Sequence, residues 1–144
     1  MRGYAAIGLD NPKTPANIGA ALRACSVFDA AFLAVSGGRY KKKGCDTCAT
    51  PRHKPFFLVD DLYSIIPYDC VPVAIEFLKD ATSLTEYVHP RSAFYIFGAE
   101  DATLGDRVFS WCRDVVYIPA DYCLNLAACV NVVLYDRMSK QNHA

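Results

Sequence analysis

The sequence predicts an α/β protein built on a mainly parallel sheet with helices on both faces. Three observations carry that prediction. Six short runs are near-continuously apolar and mostly bounded by Gly, Pro or Asp, the pattern of strands covered on both sides. Segments with helical spacing alternate with them. The 144 residues, 53% of them hydrophobic, suffice for one domain with a substantial core.

The first run, Tyr4–Leu9, reads as a strand. Asn17–Asp29 follows as a helix with Ile18, Leu22, Cys25 and Phe28 on one face. Asn17 is its expected cap, and Pro15 the stop just before it. Ala31–Ser36, Phe56–Val59 and Val71–Phe77 read as three further strands. Ser83-Leu84-Thr85-Glu86 has the form of a capping box and predicts the start of another helix. Ala93–Phe97 is a strand, Asp106–Cys112 a short helix and Val115–Ile118 a strand. Leu126–Met138 closes the chain as a helix, apolar at 126, 130, 133 and 134. No internal repeat, low-complexity stretch or linker interrupts this order, so residues 1–144 read as a single domain.

Composition removes several classes. With 21% charged residues and a mean hydropathy of +0.12, the chain is neither disordered nor membrane-embedded. No apolar run approaches the roughly 20 residues that span a bilayer. The opening residues reach Asp10 too soon for a signal-peptide core. The seven cysteines are odd in number and scattered, mostly within apolar segments, which fits a reducing, cytoplasmic setting. Cys45 and Cys48, with His53 nearby, raise a zinc or redox reading. A lone Cys-x-x-Cys lacks the second ligand pair of a structural zinc site, and this one follows a basic loop instead of opening a helix after a strand. No metal is expected.

The net charge is zero, but it is unevenly spread. Residues 1–54 carry nine Lys or Arg against three Asp, whereas the remainder carries six against twelve acids. The excess concentrates in Arg39-Tyr40-Lys41-Lys42-Lys43 and Arg52-His53-Lys54. Such a patch can hold phosphates in a salt-dependent way, and the ordinary alternative is a solvated loop.

In sheets of this kind ligands bind beyond the carboxyl ends of the strands. Neither Gly-x-Gly-x-x-Gly nor a Gly-Lys-Ser/Thr phosphate loop is present. Three strand ends instead carry Asn17-Ile18-Gly19-Ala20-Ala21-Leu22-Arg23, Phe97-Gly98-Ala99-Glu100 and Leu124-Asn125-Leu126. In this order they resemble the three motifs of the SpoU-type (TrmH-like) branch of the SPOUT RNA methyltransferases, over about residues 4–138. The first is Asn-x-Gly-x-x-x-Arg, the second Gly-x-Glu, the third Ser-Leu-Asn, where Cys123 here precedes Leu124. The second motif usually continues to Gly-Leu; here the order is Leu104-Gly105, after a slightly longer loop.

The resemblance implies a SPOUT-type fold with a C-terminal trefoil knot, a homodimer, and S-adenosylmethionine bound in the knot. It implies methylation of a ribose 2′-hydroxyl in RNA, tRNA ahead of rRNA. Arg23, Asn17, Glu100 and Asn125 become the catalytic candidates. A guanidinium keeps its proton across the physiological range, so Arg23 would act by stabilising developing alkoxide charge and holding phosphate, not as a base. Its ordinary reading is a surface arginine, and Asn17 and Asn125 are ordinarily helix caps. The cofactor's adenine would sit among Ile75, Ile118, Leu124 and Leu126, with backbone at Gly98, Ala99 and Cys123 reading its edge and Glu76 near its ribose. Arg39, Lys41, Lys42, Lys43, Arg52 and His53 would face RNA. Two other functions remain open on the sequence: a noncatalytic RNA-binding module of the same fold, suggested by the altered loop after Glu100, and a thiol-based redox or zinc domain.

Overall fold

The computed structural model describes residues 3–40 and 54–142. Among the described residues, seven strands form one sheet in which every pairing is parallel. In chain order they are β1 (Ala5–Leu9), β2 (Leu33–Ser36), β3 (Phe56–Val59), β4 (Val71–Ile75), β5 (Thr82–Ser83), β6 (Ala93–Phe97) and β7 (Asp114–Tyr117). Across the sheet the order is β3-β2-β1-β6-β4-β7-β5. The expected strands are present with ends shifted by one or two residues, and the two-residue edge strand β5 is an addition.

The chain runs outward from β1 to β3, then crosses to the far side and inserts β6 between β1 and β4. Leu9 therefore pairs with Phe97, Phe97 with Ile75, and Ile75 with Val116. The carboxyl ends of β1, β6, β4 and β7 thus lie in one row, and the loops that follow them share one edge. Pro72 sits in the central β4 without disrupting it. Its carbonyl accepts the Arg113 amide (3.0 Å), so its missing N–H points to the side where β7 has only begun.

Two cores cover the two faces. On one, helix α1 (Pro15–Val27) and helix α3 (Leu126–Asn142) pack side by side and bury Ile18, Leu22, Leu126, Val130, Val133 and Leu134 against alternate strand residues. On the other, Leu62, Leu104 and Val108 cover Ala74, Phe94 and Ile96; Val108 lies in the single-turn helix α2 (Asp106–Phe109). The apolar stripes expected for the opening and closing helices are the buried ones.

Three local expectations change. α1 starts two residues earlier than expected: Thr14 is its cap and Pro15, with φ already suited to a helix, is its first residue. Asn17 is consequently inside the first turn and does not cap. Asp29 ends the helix with φ of 55°. The capping-box sequence at 83–86 gives only a single turn, Leu84–Glu86. Ser83 is held in β5 opposite Tyr117, and its hydroxyl meets Thr85 Oγ1 (2.9 Å) instead of capping. α3 runs four residues beyond Met138 because its last turns are tied down. Buried Arg137 donates to the carbonyls of Pro90 (2.7 Å) and Arg91 (2.6 Å) and to the Tyr95 hydroxyl (3.1 Å). Lys140 Nζ reaches the Tyr87 carbonyl (2.9 Å) and Asp136 (2.9 Å). His89 sits between Tyr95 OH (2.7 Å) and Asp136 (2.6 Å), and burial pushes its pKa below the usual 6.5.

Candidate functional site

The row of carboxyl ends brings the three singled-out loops together. Asn125 caps α3, its Oδ1 accepting the amides of Ala127 (2.9 Å) and Ala128 (3.2 Å). Its Nδ2 donates to Asn17 Oδ1 (2.9 Å). Asn17 Nδ2 donates in turn to Glu100 Oε2 (3.0 Å). Glu100 then accepts the Lys13 amide on Oε1 (2.9 Å) and the Thr14 amide on Oε2 (2.8 Å), at the start of α1. One continuous hydrogen-bonded chain therefore runs from α3, through α1, to the loop after β6.

The chemistry of its ends fixes every orientation within it. A carboxylate only accepts, so Asn17 must turn its NH2 toward Glu100 and its oxygen toward Asn125. The helix amides only donate, so Asn125 must turn its oxygen toward α3. No member can flip without leaving a donor facing a donor. Burial would raise the Glu100 pKa, but the Lys13 amide, the Asn17 side chain, Glu100's own amide and Thr14 together outweigh it and lower it from 4.5 to about 2. Glu100 is thus a fixed anion that positions the loop after β1. A group so far from neutral pH is poorly suited to proton transfer.

Arg23 stands apart from this chain. It lies six residues beyond Asn17, roughly 9 Å along the helix axis. It is exposed and makes no hydrogen bond or ion pair with the described residues. The exposed surface around it carries Ala20 and Ala16 one and two turns before it and Val27 one turn after.

The neighbouring strand ends form the other wall. At Gly98, a Cβ would lie 3.2 Å from the Ala102 carbonyl oxygen and 3.3 Å from the Leu104 amide, so any side chain there would press on the returning loop. That loop is closed by Glu76, whose Oε1 accepts the Leu104 amide (2.8 Å), while Glu76's own amide donates to Val116 (3.0 Å). Glu76 therefore ties β4, β7 and the loop after β6 together, and its other oxygen, Oε2, accepts the Phe77 amide (3.2 Å). Gly98, Ala99 and Ile118 are half-buried, and Cys123 and Leu124 are exposed along this edge. Ile75 and Leu126, expected to line the same place, are core residues at 8% and 5% exposure and contribute packing more than an open wall. Exposed Phe77, which stacks edge-on against Tyr117 at 5.3 Å, is an aromatic at this edge that the sequence reading missed. The only sequence signal for it was its place at the end of the apolar run Val71–Phe77.

Among the basic residues, Arg39 is not free. Its guanidinium forks onto Asp101 with two 2.9 Å bonds and donates a third to the Asn11 carbonyl (2.9 Å). The hydrogen bonds from Arg39 hold the Asp101 carboxyl below its usual range. Arg39, expected to face RNA, is thus engaged with Asp101 and Asn11. Lys41, Lys42, Lys43, Arg52 and His53, and with them Cys45 and Cys48, lie outside the described residues. Lys54, just after them, is anchored to Asp29 (2.6 Å).

The described cysteines, Cys25, Cys70, Cys112, Cys123 and Cys129, are all free thiols. Burial raises Cys129 to about 11, which keeps it protonated and unreactive. No helix among the described residues is long and apolar enough to cross a membrane.

Comparison with known proteins gives a consistent picture. The model of the SpoU rRNA Methylase family matches residues 4–135. No curated protein matches the sequence. Among solved structures, the SpoU methyltransferase AviRb from Streptomyces viridochromogenes, in complex with the cofactor AdoMet, is 20% identical with a TM-score of 0.82. The match covers 100% of this chain and 63% of AviRb, so the chain spans less than two-thirds of that protein. The A. aeolicus TrmH/SpoU tRNA modifying enzyme is 18% identical, with a TM-score of 0.81 over 99% of this chain and 77% of its own. A structure described for the 2-OH methylation of C/U34 on tRNA is 23% identical, with a TM-score of 0.77 over 97% of both chains. At these identities the likeness is one of fold.

Proposed function

The chain belongs to the SpoU rRNA methylase family, and from that premise we propose that it is an S-adenosylmethionine-dependent RNA methyltransferase acting on a ribose 2′-hydroxyl, in tRNA ahead of rRNA. The observation that carries the proposal is the hydrogen-bonded chain Asn125–Asn17–Glu100–Lys13/Thr14. It joins all three motif loops at the edge where a parallel sheet binds its ligands.

The residues at that edge fit the cofactor. Half-buried Gly98, Ala99 and Ile118 line the edge, and Leu124, Phe77 and Cys123 offer apolar and aromatic surface for an adenine. Bound there, S-adenosylmethionine supplies a methyl already activated by its sulfonium. The protein's tasks are then alignment and charge, and alignment alone is worth up to roughly 7–11 kcal/mol. Glu100, Asn17 and Asn125 fix the geometry of the loops around the reacting groups. They are positioning residues, since their polar atoms are spent on one another and on backbone. Arg23, exposed and unengaged, is the group able to meet a phosphate and the developing ribose alkoxide with a bidentate fork. The reordered Leu104-Gly105 segment is anchored, since Leu104 is buried and its amide is held by Glu76.

The proposal extends to a knotted C-terminal segment, a cytoplasmic setting and a homodimer. The dimer is supported by a groove of about 470 Å³ between the end of α1 and α3, lined by Phe28, Leu84, Ile118, Val132 and Tyr135. Val132 and Tyr135 of that lining are exposed. A monomeric mass by light scattering at micromolar concentration would refute the dimer. Incubation with labelled S-adenosylmethionine and undermethylated small RNA, followed by mapping of the modified nucleotide, tests the activity. RNA binding without measurable cofactor binding by calorimetry would favour the noncatalytic module instead.

A further inference from the structure

Two separate ties hold the loop after β6 to the loop after β1. One is Glu100, described above. The other is its neighbour Asp101, gripped by Arg39 from a third loop, 62 residues away in sequence. The same guanidinium donates to the Asn11 carbonyl, so one side chain touches both loops. Asn11 is itself locked in place. It has φ of 52°, its amide donates to the Ser36 carbonyl and hydroxyl at 3.1 Å each, and Gly37 approaches it so closely that a Cβ would lie 2.2 Å from Asn11 Oδ1. The next residue after Arg39, Tyr40, is buried in the α1-side core. Arg39 thus emerges from a rigid root and points at the base of the Glu100 cradle.

Two functions are available to such an arginine. As a phosphate ligand it would meet the phosphate beside the Asp101 carboxylate it already grips, and that charge would repel the incoming backbone. As a strut it stays where it is, and both partners are needed. A planar fork with two equal 2.9 Å bonds to one carboxylate and a third to a carbonyl is the geometry of a strut. Resting on the methyltransferase reading above, we infer that Arg39 is a positioning residue for methyl transfer: paired with Asp101, it holds the Glu100 loop against the loop after β1 and does not contact RNA.

The two roles predict opposite outcomes for Asp101→Asn, which decides between them. For the strut, Arg39→Gln and Asp101→Asn each lower kcat roughly ten- to a hundredfold, the scale of a small misplacement at a reacting centre. The double variant falls no further than either single one. The RNA KM and the slope of binding against salt stay at wild-type values, and Arg39→Lys rescues little because an ammonium has no fork. If Asp101→Asn instead tightens RNA binding while Arg39→Gln weakens it and flattens the salt slope by about 0.7–0.9, Arg39 is a phosphate ligand and the inference is overturned. Unchanged kcat in both variants overturns it equally. Both side chains are partly exposed, at 34% and 44%, so neither change opens the core, and Asp101→Asn alone carries the test should Arg39→Gln not fold. If the wild-type protein transfers no methyl to any RNA, the proposed activity fails, while amide exchange still reads the strut. Lys13 and Thr14 amides should exchange faster in Asp101→Asn; equal protection would overturn the inference.

Discussion

Replacing Glu100 by glutamine isolates the charge of one carboxylate with little change in shape. In the native protein its oxygens accept three donors: the Lys13 amide, the Thr14 amide and Asn17 Nδ2. A glutamine has one acceptor and one donor end, so whichever way it turns, an NH2 faces an N–H. Turning Asn17 over to accept from it would break the bond to Asn125. The lowering of the Glu100 pKa from 4.5 to about 2 sets the scale. At about 1.4 kcal/mol per pH unit it corresponds to about 3 kcal/mol of preference for the ionised form. The carboxylate is largely exposed, and solvent screening reduces this to about 1–2 kcal/mol. Glu100→Gln should therefore lower Tm by about 3–8 °C at neutral pH. Because the folded pKa is depressed, the stabilisation is complete above pH 4.5 and is lost as pH falls through about 2. The gap between wild type and variant should accordingly close over that window. Urea unfolding followed by the single tryptophan, Trp111, at pH 7, 4 and 3 measures it. Equal stability at pH 7, or a gap undiminished at low pH, would refute the reasoning.

Other outcomes follow from the same geometry. Arg23→Ala should leave Tm and cofactor affinity nearly unchanged and cut methyl transfer at least about a hundredfold, the scale of one lost charge-stabilising donor; full turnover would remove Arg23 from the chemistry. Asn125→Ala removes both the α3 cap and the link to Asn17 and should cost about 1–2 kcal/mol in denaturant unfolding, whereas Asn125→Asp should keep the cap and lose only the link. His89, enclosed by Tyr87, Tyr95, Asp136, Arg137 and Lys140, has its pKa lowered mainly by burial. The unfolded chain then binds its proton first, so stability should fall as pH drops below 6.5; an NMR titration midpoint at or above 6.5 would contradict this. Neutralising Lys41, Lys42 and Lys43 together should weaken RNA binding and flatten its salt dependence while leaving cofactor binding intact, as paired RNA and cofactor titrations would show.

The sequence alone determined what depends on local periodicity. Near-continuous apolar runs bounded by turn residues read as strands covered on both sides, and the central strands β1, β2 and β6 are fully buried, whereas edge strand β3 exposes Phe57 and Leu58. The stripes at Ile18, Leu22 and Cys25 and at Leu126, Val130, Val133 and Leu134 had to be buried, because a helix turns those positions to one face. The three motifs were legible because each is a short contiguous pattern in a segment that follows a strand. Where competing local signals met, the reading failed. Asn17 and Thr14 are both good caps, and only the fixed φ of Pro15 between them decided for Thr14. The capping box at Ser83 lost to pairing with β7, a partner more than thirty residues away.

The tertiary structure decided everything that depends on which strand lies beside which. No periodicity states that β6 enters between β1 and β4, yet that insertion aligns Leu9, Phe97, Ile75 and Val116 and so gathers the loops. The bonds that make the site span 83 residues from Asn17 to Glu100 and 108 from Asn17 to Asn125. Arg39 reads in sequence as one more cation of a basic run, and becomes a strut only because Asp101 is folded against it. A side chain's type is carried by the sequence, but its partner is set by closing long loops, and the free energy that closes them comes from the two cores and not from the polar residues they bring together.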